Sequence, residues 1–331
     1  MLTDKTLTFA TANLFNFIEP PGAFYDFENI YERDAWQAKC QWTTDRIQQL
    51  NADIVGMQEV FSIDATRRLF EQMGYAYFAC VDTPHVENDY IYSQPVVAIA
   101  SRYPITHVAA VTPPDSIQQG YQTPLPQFSR KPVYAVVDVP DIGEIAVYVC
   151  HLKSQRAAES HNPEHSHPLI GQWLSSQQRG WEAVMLRLFM EQQYHRHPLP
   201  TVLMGDMNQP LNSEITGFLT KGIKHEIEQL KLIDGWQLFS DARRLESQVN
   251  SESDQEQSAN FERAATHYHF AKGNVLDYLL LSQEFQPHSQ YSLADIIGYE
   301  VLNEHLTNPK FERDKQASDH AFVAITARFV L

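Results

Sequence analysis

Several apolar runs in this chain end in side chains able to hold a proton, a cation or a phosphate oxygen. In the segment 200–210, strand alternation places Val202, Met204, Asp206 and Asn208 on one side. Two apolar residues thus give way to a carboxylate and an amide just before a turn at Gln209-Pro210, a pair suited to orienting one water or one phosphate oxygen. An Asp beside a turn is commonly only a turn-former, so the motif draws its weight from the runs that resemble it. The run 7–12 ends in Asn13, and the run 53–58 ends in Glu59, with Val55, Met57 and Glu59 on one face. The run 144–150 reaches His151, which shares a face with Ile145, Val147 and Val149 and is followed by Lys153 and Ser154. The run 274–282 carries Asp277 inside an otherwise apolar strand, where a lone carboxylate is costly and must find a donor or a cation. Asp319 and His320 precede a closing strand at 321–329; being adjacent, they point opposite ways unless the chain turns, with one then ligating metal and the other contacting substrate.

The resulting set is Asn13, Glu59, His151, Asp206, Asn208, Asp277, Asp319 and His320, rich in oxygen, with two imidazoles and no thiolate. Hard oxygen donors suit magnesium, manganese or calcium, whereas zinc prefers more His and Cys. Magnesium takes one or two carboxylates and leaves its other positions to water and phosphate oxygens. Glu59 and Asp319 fit that role with Asn13 nearby, and the other groups suit proton transfer and charge stabilisation in a phosphoryl displacement.

The ordered series Asn13, Gln58-Glu59, His151-Leu152-Lys153-Ser154, Gly205-Asp206-Met207-Asn208, Leu276-Asp277-Tyr278 and Ser318-Asp319-His320 resembles the endonuclease/exonuclease/phosphatase superfamily over nearly the whole chain. The resemblance implies an α+β fold: a two-sheet, deoxyribonuclease-like β-sandwich in four layers, flanked by helices on both outer faces, with the site at one end. It implies Glu59 as principal metal ligand with Asn13 and Asp319 close to the ion, and Asp206, held by Asn208, orienting or deprotonating the attacking water. Asp277 and His320 correspond to an acid–imidazole pair at the phosphorus, and His151 to a second imidazole for which a carboxylate partner is expected; no residue of the sequence identifies that partner. Gln209-Pro210 and Leu276-Asp277-Tyr278 depart from the inositol phosphatase pattern, while His-Leu-Lys-Ser, followed by a helix opening at 178–183, looks more like the bacterial nuclease-type branch. The expectation is a magnesium-dependent (or manganese- or calcium-dependent) phosphodiester hydrolase acting on DNA or RNA. A phosphatase or phosphodiesterase of small-molecule or lipid phosphoesters is the second reading, and a non-catalytic binding protein on the same fold the third.

The site residues run from Asn13 to His320, so dividing the 331 residues would tear the site apart; one domain over 1–331 is expected. The net charge of −16 counts against tight non-specific nucleic-acid binding, which depends on Lys and Arg displacing counterions, but leaves room for a local basic rim. Arg102, Arg130, Lys131, Lys153, Arg156 and Arg179 are candidates for it; Arg102 and Lys153 stand out as substrate-binding residues, each following a strand end, with Ser154 beside the latter. Cys40, Cys80 and Cys150 show no metal or redox spacing, and alternation turns Cys150 away from His151. No signal-peptide pattern opens the chain and no apolar run is long enough to span a membrane, which suggests a cytoplasmic protein without identifying any protein partner.

Periodicity predicts helices at 34–50, with Trp36, Cys40, Ile47 and Leu50 near one face, and at 66–73, ended by Gly74. Strands are predicted at 75–80, 96–101, 108–111 and 133–139. Loop insertions are expected near 15–31, 112–129, 155–172 and 241–262, the last acidic at Ser251 to Glu256. His161, His165 and His167 form a loose cluster with weak metal spacing, and His267 and His269 stand one strand-spacing apart before Asp277.

Overall fold

A computed structural model describes residues 4–121, 123–222, 230–250 and 262–330. Two six-stranded sheets form its centre. Their strands, with those of a hairpin, are β1 (Asp4–Phe17), β2 (Ile54–Val60), β3 (Tyr77–Cys80), β4 (Val96–Ser101), β5 (Ile105–Ala110), β6 (Val133–Val139), β7 (Gly143–His151), β8 (Thr201–Asp206), β9 (Ile233–Asp234), β10 (His267–His269), β11 (Lys272–Asn274), β12 (Asp277–Leu281), β13 (Ala294–Leu302) and β14 (Phe322–Val330). The first sheet runs β13-β14-β1-β2-β4-β3 and the second β9-β12-β8-β7-β6-β5, while β10 and β11 form a separate hairpin. The principal helices are α1 (Arg33–Leu50), α2 (Ile63–Gln72), α3 (Pro168–Arg196) and α4 (Gly235–Asn250).

Strand alternation sorts the side chains into three cores. Leu7, Phe9, Ile54 and Ile99 of the first sheet meet Val147, Val149, Val202, Met204 and Leu279 of the second between the sheets. The opposite face of the first sheet, through Ala10, Ala12, Val55 and Met57, packs on Trp36, Trp42, Ile47 and Leu50 of α1 and Phe70 of α2. The outer face of the second sheet, through Tyr148, Cys150, Leu203, Tyr278 and Leu280, packs on Ala183, Leu186, Phe189 and Met190 of α3. The architecture is the expected four-layer sandwich, and each fully buried aliphatic or aromatic side chain contributes about 1.5–3 kcal/mol to it.

Strand direction gathers the polar residues at one end. β1 and β2 are parallel, pairing Asn13 with Gln58; β7 and β8 are parallel, pairing His151 with Asp206. β12 is antiparallel to β8, so its first residue, Asp277, sits opposite Asp206, the last residue of β8. β14 is antiparallel to β1, so the turn before it, carrying Asp319 and His320, lies near the end of β1. Gly205 is needed at this corner: its φ is +150°, and a Cβ there would lie 1.9 Å from the Cys150 carbonyl oxygen on the neighbouring strand.

Several predicted elements differ in extent. Asp277 opens its strand rather than sitting inside it. The helix expected to open at 178–183 begins earlier, at Pro168, where the His167 ring nitrogen accepts from the Leu169 amide as an N-cap. The 112–129 insertion contains a helix, Asp115–Tyr121. Of the segment 241–262, residues 241–250 are helix, and the acidic stretch from Ser251 to Glu256 lies outside the described residues.

Candidate active site

Asp206 is the centre of the polar cluster. It is 1% exposed, accepts from the Asn13 amide nitrogen at 3.2 Å and from the Asn208 backbone N–H at 2.8 Å, and lies 3.3 Å from Nε2 of His151 and 3.7 Å from Nε2 of His320. Burial alone would raise its pKa, but His320 and His151 outweigh that and hold the carboxyl far below the usual range. Asp277, fully buried, meets Nδ1 of His320 at 2.8 Å, so it has the partner its burial demands. Burial pushes the Asp277 carboxyl up against the pull of His320. Burial would push His320 down, but Asp277 and Asp206 together carry it well above its ordinary value.

Glu59 reaches the site by a route that alternation does not describe. Val55 and Met57 face the outer helices, and a regular strand would send Glu59 the same way. Instead the β1–β2 and β2–β4 registers both shift before Val60, and Glu59 has φ +60°. This bulge turns the carboxylate toward β1, where Oε2 accepts from the Asn16 backbone N–H at 2.9 Å and Oε1 faces the Asn13 amide nitrogen at 3.5 Å. Asn13 therefore bridges Glu59 and Asp206, while its Oδ1 accepts from the Phe15 N–H at 3.0 Å.

A turn at Ser318 separates Asp319 from His320. The Ser318 hydroxyl donates to the Asn13 carbonyl at 2.7 Å and accepts from the His320 N–H at 3.0 Å. His320 turns inward, while Asp319 stays solvent-exposed. Its carboxyl is pushed up to about 6 by desolvation, with Glu59 and Asp206 adding to the rise against His320.

Asn208 serves through its backbone N–H to Asp206; its side-chain amide donates to the Leu152 carbonyl at 2.9 Å and ties the ends of β7 and β8 together. Beside it, the Lys153 N–H donates to Glu182 at 2.6 Å, and Arg179 donates to the Lys153 and Ser154 carbonyls at 2.9 and 3.1 Å. Arg179 is 2% exposed, so this candidate for the basic rim is a buried brace for the loop. The half-buried Lys153 ammonium is pushed down by desolvation first and by Arg130, Arg179 and Arg156 around it, which identifies a local concentration of positive charge. Tyr25 lies within electrostatic reach of Glu59 on one side and of Arg130 and Arg156 on the other.

Arg102 does not belong to the site. β4 is antiparallel to β2, and Ser101 pairs with Ile54 at the beginning of β2, so Arg102 emerges at the opposite end of the sandwich from Glu59. There it donates to Asn51 at 2.8 Å and to Asp53 at 3.4 Å and stacks 5.3 Å from the Tyr75 ring centroid. The carboxylate that meets His151 is Asp206 itself, 3.3 Å from Nε2, and among the described residues Nδ1 of this buried ring has no partner.

Two residues escaped the sequence reading. Asn16, 7% exposed, has a buried Oδ1 without a hydrogen-bond partner, and its own backbone N–H holds Glu59. Lys39 of α1 is 1% exposed, with Nζ 5.4 Å from the Phe15 ring centroid and 5.6 Å from that of Tyr31. Burial pushes it down to about 8 against the opposing pull of Glu59 and Asp319, which leaves it charged at neutral pH. His267, half-buried, stacks on His320 with ring centroids 4.9 Å apart, while His269 is exposed. The His161, His165 and His167 cluster is solvent-exposed.

The donor chemistry fits a hard divalent cation. Glu59, the outward Asp319 and the unpartnered Asn16 Oδ1 offer oxygen. Ligand atoms of His267, Asp319 and His320 lie within 4.8 Å of one another, as do those of Asp206, Asp277 and His320. In the second group the buried carboxylates already engage His320 and amide donors.

A family model described as the endonuclease/exonuclease/phosphatase family matches residues 40–320. The chain belongs to that family. A search of curated proteins finds no significant match to the sequence. Among solved structures, the human Nocturnin catalytic domain with bound sulfate is 14% identical, with TM-score 0.58 over 99% of this chain and 98% of that one. An endonuclease/exonuclease/phosphatase family protein from Bacteroides thetaiotaomicron is 15% identical, with TM-score 0.57 over 100% and 98%. A mannosyl-6-phosphatase from Bacteroides thetaiotaomicron is 16% identical, with TM-score 0.55 over 97% and 99%. At such identities the likeness is one of fold. Among the described residues, no helix is long and apolar enough to cross a membrane.

Proposed function

We propose that this family member is a divalent-metal-dependent phosphoesterase that cleaves a phosphodiester of DNA or RNA by in-line attack of water. The observation that carries this reading is the buried carboxylate of Asp206, approached at once by Asn13, His151 and His320. A carboxylate held so far below its usual range is a weak base, so Asp206 orients the attacking water, with the neighbouring imidazoles positioned to exchange its proton. Protonated His320, backed by Asp277, places positive charge where the phosphoryl oxygens gain negative charge. When bound by Glu59 and Asp319, with Asn13 and Asn16 beside them, a divalent ion such as Mg²⁺ would supply Lewis-acid polarisation of the phosphoryl group. Lys153, Arg130 and Arg156 supply the cationic rim that a polyanionic strand needs on an otherwise acidic protein.

A second reading, hydrolysis of a small-molecule or lipid phosphoester, is favoured by a groove of about 660 Å³ beside Lys153, lined by Leu125, Leu174 and Trp181. The first turns of α3 next to it expose Leu169, Ile170 and Trp173.

Activity with Mg²⁺ on plasmid and single-stranded oligonucleotides, set against phosphomonoesters and phosphocholine lipids, separates the two. Cleavage of nucleic acid that weakens steeply with salt supports the first reading. Turnover that survives dialysis against EDTA overturns the metal role. Failure on every phosphoester with several metals, alongside intact ligand binding, would instead favour a binding protein.

A further inference from the structure

The first turns of α3 are amphipathic the wrong way round. Leu169, Ile170, Trp173 and Leu174 recur at helical spacing along one side, and all four are between 47% and 68% exposed. The opposite side of the same turns is small and buried, with Gly171 and Ser175. A Cβ on Gly171 would lie 2.6 Å from the Ala158 carbonyl oxygen, so only glycine lets the backbones approach. The Ala158 N–H donates to the Gly171 carbonyl at 3.0 Å, and the Ser175 hydroxyl donates to the Arg156 carbonyl at 2.6 Å. Backbone thus occupies the inner face, and the large apolar side chains stand outside. Farther along the same helix the ordinary arrangement returns, with Ala183, Leu186, Phe189 and Met190 buried on the second sheet.

A contiguous exposed apolar stripe marks an interaction surface, and its occupant must match its chemistry. A stable dimer needs about 20–30 residues a side, whereas this stripe offers four large side chains. A nucleic-acid strand needs aromatic faces for its bases and unbalanced cations for its phosphates. The stripe has one aromatic ring, and from Lys153 to Leu174 the cations Lys153 and Arg156 are matched by Glu159 and Glu164. A bilayer takes leucine and isoleucine into its acyl boundary and tryptophan at the headgroups. That segment is neutral in a chain of net charge −16, which suits zwitterionic lipid and disfavours anionic lipid. The stripe also leads to the chemistry: Leu174 lines the groove beside Lys153, which lies two residues beyond His151.

We propose that the first turns of α3 dock the protein on a zwitterionic lipid bilayer, with Leu169, Ile170 and Trp173 inserted at the headgroup boundary. Flotation of the full chain with phosphatidylcholine vesicles, alongside tryptophan emission, tests it. The wild type should float with the vesicles and its emission shift to the blue. A Leu169→Ser, Trp173→Ser double variant should bind at least about tenfold more weakly, with its thermal unfolding midpoint unchanged, because both side chains are exposed. Should the double variant not fold, Trp173→Ser alone is judged by the same outcomes. Wild type that stays with the unbound fraction, or a double variant that floats as the wild type does, overturns the proposal. So does a wild-type dimer in light scattering that the double variant converts to monomer, since a second copy then covers the stripe. Loss of oligonucleotide binding with vesicle binding intact overturns it in favour of a strand. Vesicle binding is read without turnover, so its failure is distinct from a failure of the phosphoesterase reading.

Discussion

The two ends of the sandwich use the same residue types and differ in whether those residues satisfy one another. At one end, Arg102 is shared between Asn51 and Asp53 and stacked on Tyr75, Asp53 also accepts from the Thr8 N–H at 2.8 Å, and the Tyr75 hydroxyl donates to the Ala52 carbonyl at 2.7 Å. That closed set locks β1, β2 and β4 together. At the other end, the buried atoms Asn16 Oδ1, His151 Nδ1, His267 Nδ1 and Asp277 Oδ1 have no partner among the described residues. Native proteins rarely leave buried polar atoms unpaired, so the open end is the one prepared for something else to complete it. Positive φ occurs at both ends: at Phe15, Asn16, Glu59 and Asn208 of the open one, and at Asn51, the C-cap of α1, at the closed one.

Substitutions can break this contrast. The largest effect is expected from Asp206→Asn, which keeps the shape but removes the charge facing His151 and His320; phosphodiesterase activity should fall by about a hundred- to ten-thousand-fold, measured beside an unchanged circular dichroism spectrum. A loss under about tenfold would remove Asp206 from the chemistry. Gly205→Ala should destabilise by about 3 kcal/mol or more, read from a denaturant midpoint, because its Cβ collides with the Cys150 carbonyl. Metal affinity offers a pH test. Asp319 must ionise to ligate and titrates at about 6, so Mn²⁺ affinity should rise by about tenfold per pH unit below that value and level off above it. A flat profile between about pH 5 and 8 would exclude Asp319 as a ligand. The smallest effect belongs to Arg102→Ala: activity within about twofold of wild type and a stability loss of about 1 kcal/mol. A large loss of turnover would return Arg102 to the site.

Much of the architecture was legible because inner and outer faces alternate cleanly: Val147, Val149 and His151 share one side of β7, and Cys150 faces the helices. Asp206 was legible as a charge where a strand stops being apolar, and Asp277 as a lone carboxylate in an apolar run, though its place at the start of the strand was not. Glu59 was assigned the wrong face because a bulge is a tertiary event with no period of its own. Arg102 was misplaced because following a strand end says nothing about direction; only the antiparallel pairing of β4 with β2 reveals which end it is. Lys39 was hidden by its residue type. Helical spacing put Trp36 and Cys40 on the core face, and a lysine between them reads as solvated until the rings of Phe15 and Tyr31 are seen around it.

The pairing of β14 with β1 brings residues far apart in the sequence to one place. Asn13 is made well before His320, so a partly translated chain holds only some of the cluster. Any hydrolytic power of the cluster would thus be withheld until the closing strand has docked, and a ribosome stalled before residue 317 would release a harmless fragment rather than a loose hydrolase.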